Sequence, residues 1–84
     1  NNYGRALEHF NRVIKEFPNS NRLASAIFAK SSLFKKMQLV EKSREGFLDV
    51  INRFPGSPEA FRADSEIKLM AYEESFKKQT KGSQ

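Results

Sequence analysis

The chain has no cysteine and a single histidine, His9, among its 84 residues. The first absence excludes disulfides and thiolate metal sites and leaves the redox compartment open. The second works against hydrolytic catalysis, which needs a nucleophile, a histidine and a third orienting group. His9 stands beside Phe10 and reads as a surface or half-buried structural residue. The four glycines form no phosphate-cradling loop. The carboxylates of Glu41 and Glu45, and of Glu73 and Glu74, are spaced for ion pairing along helix surfaces rather than for acid–base work. An enzyme is therefore not expected, nor a cofactor or a metal. No apolar run approaches the ~18 residues that a membrane span needs, and no export signal is visible.

Acid is also missing from one long stretch. Between Phe17 and Val40 there is none, although Arg22, Lys30, Lys35 and Lys36 lie there. Residues 1–40 hold seven basic and two acidic residues and residues 41–84 hold eight of each, so the whole net charge of +5 sits in the first half. This is either a solvated basic face that maintains solubility or a surface that attracts an acidic partner.

What is present is a phrase that occurs twice. Phe10-Asn11-Arg12-Val13-Ile14-Lys15-Glu16-Phe17-Pro18-Asn19-Ser20 returns 37 positions later as Phe47-Leu48-Asp49-Val50-Ile51-Asn52-Arg53-Phe54-Pro55-Gly56-Ser57, with its main apolar places and the Phe-Pro-x-Ser ending unchanged. Self-similarity at this spacing marks a repeat array. Within each copy the apolar side chains step by three and four, so they line one stripe of a helix. Proline disfavours helical dihedrals in the residue before it, which makes Phe17 and Phe54 last residues; Ser20 and Ser57 are suited to cap the next helix in each case.

Four helices are predicted, over Asn1–Phe17 with Asn2 as cap, Asn21–Lys36, Val40–Phe54 and Pro58–Lys78. The first carries an apolar stripe from Ala6 to Phe17. The second is apolar on several sides, with Leu23, Ile27 and Phe34 on one face and Phe28 and Leu33 flanking it, as suits a helix sandwiched between neighbours. In the third, Gly46 lies on the turn just before Phe47, where a missing side chain lets a neighbour close in at a helix-propensity cost of about 1 kcal/mol. The fourth has two stripes. Ala60, Ala63, Ile67 and Met70 suit packing on the third helix, while Phe61, Leu69, Tyr72 and Phe76 form a second stripe whose partner the sequence does not name. Lys77 onward is basic and rich in Gly, Ser and Gln, and is expected to fray.

The order helix, turn, helix, with a small residue, Phe four later and Pro eight after that, resembles the tetratricopeptide repeat. Ile27 stands where that pattern has Trp, Lys30-Ser31 where it has Leu-Gly, Phe34 for Tyr and Ser43 for Ala; Phe47 and Pro55 match it. Tyr3, Ala6, Phe10 and Pro18 fit the preceding half unit. Lys30, Ser31 and Ser43 depart from the pattern at the approach of the second and third helices. The 37-residue period and the phrases around Tyr3-Gly4-Arg5-Ala6 and Phe54-Pro55-Gly56-Ser57-Pro58-Glu59-Ala60 are similar to tetratricopeptide domains of bacterial envelope proteins, such as the Tol-Pal-associated periplasmic coordinator and outer-membrane-assembly lipoproteins. That resemblance implies an all-α fold, antiparallel hairpins stacked as an α-solenoid fragment over residues 1–78 with a flexible basic tail over 79–84, and a place in the periplasm or cell envelope. It also implies half units at both ends, hence a piece of a longer array or a chain that self-associates through its end helices.

The expected function is a protein–protein interaction or scaffold module. Arrays of this kind use the first helix of each unit to line a groove, which here maps to Ser25, Phe28, Ser32, Lys35 and Lys36 on the second helix and Arg62, Ser65, Leu69 and Tyr72 on the fourth. Phe28, Leu69 and Tyr72 would anchor a peptide or protein, and Lys35, Lys36 and Arg62 would attract acidic groups. The chaperone-binding clamp of some relatives is not implied, because its places hold Ser, Phe and Leu. The alternative is a basic helical module for nucleic acid, in which Phe28, Lys35 and Lys36 combine stacking with charge.

Overall fold

A proline dictates the conformation of the residue before it, and the two Phe-Pro corners adopt the same one. Phe17 has φ −129° and ψ 58°, and Phe54 has φ −130° and ψ 55°. Each still donates its backbone N–H to the carbonyl four residues back, Val13 and Val50, at 2.9 Å. The residues that open the two helices match as well: Asn2 at φ −101°, ψ 71° and Leu39 at φ −92°, ψ 74°. The repeat in the sequence is thus a repeat in the backbone.

The computed structural model describes residues 2–19 and 21–82, with side chains through Lys77. It is all-α, with α1 at Tyr3–Glu16, α2 at Leu23–Lys36, α3 at Val40–Arg53 and α4 at Pro58–Gly82. No strand occurs among the described residues. Caps fall where short polar side chains invite them. The Asn2 side chain accepts from the Arg5 N–H at 3.1 Å. Ser57 Oγ accepts from the Ala60 N–H at 3.0 Å and donates to the Phe54 carbonyl at 2.7 Å, tying the end of α3 to the start of α4. At α2 the expected capping residue, Ser20, lies outside the described residues; the cap position is taken by Arg22, which makes no side-chain capping bond. α4 runs to Gly82 rather than stopping at Lys78, because no proline or glycine intervenes after Pro58 to end it earlier. Residues 79–82 of the expected tail are therefore helical, and residues 83 and 84 lie outside the described residues.

Successive helices run antiparallel. Numbers rise along α2 as they fall along α3, since Phe28 meets Phe47, with ring centroids 5.3 Å apart, and Ser31 meets Gly46 and Ser43. The connection of Met37 to Leu39 is tight enough to place Gln38 in the left-handed region, φ 65°. α3 lies between α2 and α4, so its Phe47 and Val50 are fully buried, along with Ala63 of α4; Leu23, Ile27, Ala60 and Met70 complete the core. Among the described residues α1 is backed by α2 alone, and it accordingly buries no residue completely. The result is a slab of 50 × 31 × 14 Å.

The departures from the tetratricopeptide pattern are accommodated at the α2–α3 contact. Ser43 Oγ donates to the Ser31 carbonyl at 2.8 Å, and Ser31 Oγ donates to the Ile27 carbonyl at 2.8 Å, so both buried hydroxyls are satisfied. Gly46 supplies the room: a methyl group there would sit 1.9 Å from Ser31 Oγ and 3.0 Å from Ser31 Cβ. Serine stands where the repeat pattern has glycine, and glycine stands opposite.

Candidate functional site

Of the groove residues expected on the second and fourth helices, Ser25 and Lys35 lie where α2 and α4 run side by side. These two helices are parallel, because residue numbers rise together: Ser25 of α2 reaches Glu59 of α4, and Lys35 reaches Glu66. Two polar links stitch this face. Ser25 Oγ donates to Glu59 Oε2 at 2.7 Å, and Lys35 Nζ pairs with Glu66 Oε1 at 3.0 Å.

Glu59 is held below the ordinary carboxylate range, first by the Ser25 hydrogen bond, then by its own backbone N–H, with a smaller contribution from the charge of Arg62. Placement in the first turn of α4 favours the same charged form. Further along, Arg44 of α3 donates to both oxygens of Glu41 at 2.9 Å and to Glu74 of α4 at 2.7 Å. Its guanidinium pKa is raised by these partners, Glu41 above all.

The site residues of the α2 half are mostly engaged within the fold. Phe28 packs its ring on Phe47 against the core, Ser25 and Lys35 bind α4, and Ser32 is half-buried; Lys36 is exposed. On α4 the picture differs. Ser65 turns its hydroxyl back to the Phe61 carbonyl at 3.2 Å, and Arg62 is exposed. Leu69 is 46% and Tyr72 69% exposed, and Phe61 at 69% and Phe76 at 60% extend the same stripe.

At 100° per residue, Phe61, Leu69, Tyr72 and Phe76 fall on the side of α4 opposite Ala60, Ala63, Ile67 and Met70, which pack on α3. Phe61 and Phe76 are not in the groove pattern carried over from the family; the three-and-four spacing of the second stripe is the signal that includes them. Glu59 and Glu66 were not legible as groove residues. They come from a helix about 30 residues downstream, and no local pattern pairs them with Ser25 and Lys35.

Elsewhere, a groove of about 570 Å³ lies over Phe34 between α2 and α3, where the ammonium groups of Lys30 and Lys42 each stand 5.7 Å from the Phe34 ring centre. A shallower one between α1 and α2 is floored by Ala26 and Ala29. His9 is exposed, with its ring edge-on to Phe10. Among the described residues no group of three His, Cys, Asp or Glu side chains could hold a metal ion, and no helix is long and apolar enough to cross a membrane. Comparison with protein families, curated proteins and solved structures found no match to this chain.

Proposed function

We propose that this chain is a protein–protein interaction module of tetratricopeptide type, a unit of a repeat scaffold that recognises a protein or peptide through the outward face of α4. The observation that carries the reading is the stripe of Phe61, Leu69, Tyr72 and Phe76, four large apolar side chains exposed on one helix face opposite the core. Contiguous apolar surface of this kind on a folded domain marks an interaction site. The backbone repeat at the Phe-Pro corners supports the solenoid reading, since solenoids present extended surfaces on rows of parallel helices.

Engagement of Lys35 by Glu66 moves the emphasis from an acidic partner to an apolar one. Leu69 and Tyr72 then act as anchors, and Lys36 and Arg62 supply charge at the rim. The test is selection of binding peptides from a random library on the folded chain. Leu69→Asp and Tyr72→Asp are expected to abolish binding of the selected peptides while the helical circular-dichroism signal stays unchanged. Lys36→Glu should alter mainly the salt dependence of association. Peptides that bind the Asp variants as well as the parent would refute the assignment.

A further inference from the structure

The outward stripe of α4 has the spacing of a helix-pairing seam. Leu69, Tyr72 and Phe76 succeed one another by three and four residues, which places them at alternating a and d positions of a heptad, with Ser65 at the preceding d. α4 is also the longest helix, 25 residues against 14 in each of the others, so it extends about 37 Å and carries this seam past the point where Met70 and Glu74 contact the rest of the fold.

The flanks differ from the seam. Ile27, Ser31 and Phe34 of α2, which line its approach to α3, correspond after 37 residues to Asp64, Lys68 and Ala71 of α4. Asp64 and Lys68 pair with each other at 3.0 Å and face solvent. A hairpin partner packing there as α3 packs on α2 would have to bury that ion pair, so the surface suited to a neighbour is the apolar stripe.

Charge beside the seam selects the neighbour and its direction. With Leu69 and Phe76 at a positions, Lys68 occupies g and Glu66 and Glu73 occupy e. Parallel pairing of two copies sets Lys68 of each against Glu73 of the other, at g and the following e, whereas antiparallel pairing brings the glutamates of the two copies together. Lys68 is 77% exposed, and Glu73 makes no ion pair among the described residues.

We propose that a second copy of this chain packs α4 against α4 in parallel about Leu69, Tyr72 and Phe76. Resting on the interaction reading above, this names the partner of the same face. Tyr72 and Phe76 on the seam and Phe61 at a flanking g position, aromatic side chains of roughly 150–250 Å² that are 60–69% exposed, offer together with Leu69 on the order of 450 Å² per copy. The pair buries about twice that, at the small end of specific interfaces, and forms a weak, concentration-dependent dimer.

Because the chain has no cysteine, a single introduced one reports position unambiguously. Leu69→Cys and Phe76→Cys, made separately and oxidised, should each form a disulfide-linked dimer, since parallel pairing sets every seam residue beside its own copy. Ala71→Cys, on the flank, should not. In sedimentation equilibrium Lys68→Glu and Glu73→Lys should each weaken the dimer by roughly fivefold, and the two together should restore it. Within one chain these residues are five apart and do not face each other, so that rescue reads contact between copies. Cross-linking at only one seam position, or charge swaps without rescue, overturns the parallel arrangement. A chain that stays monomeric yet binds library-selected peptides through Leu69 and Tyr72 overturns the self-pairing and leaves the interaction reading standing; a chain that does neither loses both.

Discussion

Gly46→Ala separates two opposed effects cleanly. In a helix interior alanine is better than glycine by about 1 kcal/mol, so local propensity alone makes this variant more stable. The α2–α3 contact argues the reverse. The new methyl would lie 1.9 Å from Ser31 Oγ and 3.0 Å from Ser31 Cβ. Rotating the hydroxyl relieves only the first clash, and it removes the bond from Ser31 Oγ to the Ile27 carbonyl inside a buried contact. An unpaired buried hydroxyl costs about 1–3 kcal/mol. The second clash remains, because a Cβ moves only with its backbone, and overpacking by one methyl costs typically about 1–3 kcal/mol.

Against the propensity gain the balance is a loss of about 2 kcal/mol. For a domain of this size that lowers Tm by roughly 8–16 °C. Thermal and urea denaturation followed by circular dichroism at 222 nm would measure it. Adding Ser31→Gly to Gly46→Ala exchanges the two small positions and should recover at least half of the loss, giving a favourable coupling of about 1 kcal/mol or more. A Gly46→Ala chain that melts higher than the parent, or two variants whose effects simply add, would refute the reasoning.

Ser57→Ala removes a cap bonded to both flanking helices and should cost about 1 kcal/mol by urea denaturation. Gln38 occupies the left-handed region without being glycine, so Gln38→Gly should stabilise by about 0.5 kcal/mol, the relief exceeding the added freedom of the unfolded chain; a loss of stability would contradict the strain. Ser25→Ala should let the Glu59 pKa rise toward its ordinary 4.5, as read by carboxyl NMR titration. Glu59 is depressed in the folded state, so its contribution to stability is present above the unfolded pKa and lost as the pH falls through the folded one. The stability gap between parent and Ser25→Ala should thus be widest near neutral pH and narrow in acid, and acid unfolding curves separated by the same gap at every pH would count against the bond.

Features set by local chemistry were legible in the sequence. Proline acts on its neighbour, so Phe17 and Phe54 ended their helices without help from the tertiary fold; Asn2 and Ser57 capped as short polar side chains do. The core stripe of α4 could be read from its period. Gly46 was legible as a point of close approach, but the identity of the group that approaches, Ser31, depends on which helices meet and at what register. Gln38 carries no marker of its left-handed backbone, since glycine is the residue that announces it. The basic groove was the least legible feature. Lys35 and Ser25 read as open side chains until the parallel arrangement of α2 and α4 brings Glu66 and Glu59 to them.

The internal repeat offers its own measure of where the molecule departs from simple stacking. A shift of 37 residues turns Phe28 into Ser65, Ser32 into Leu69 and Lys35 into Tyr72. In α2 the aromatic ring of this set faces Phe47 and the lysine is held by Glu66, so the face is closed by its own fold. In α4 the place of Phe28 is taken by the exposed Ser65 and the places of Ser32 and Lys35 become apolar, which gains nothing for packing on α3, because Ala60, Ala63 and Met70 already fill that contact. The exchange places large apolar groups on the exposed side of α4 without adding to its packing on α3. A local rule broken where the rest of the chain obeys it points to function rather than stability, and that is the ground for proposing the outward face of α4, rather than the charged face of α2, as the place where a partner docks.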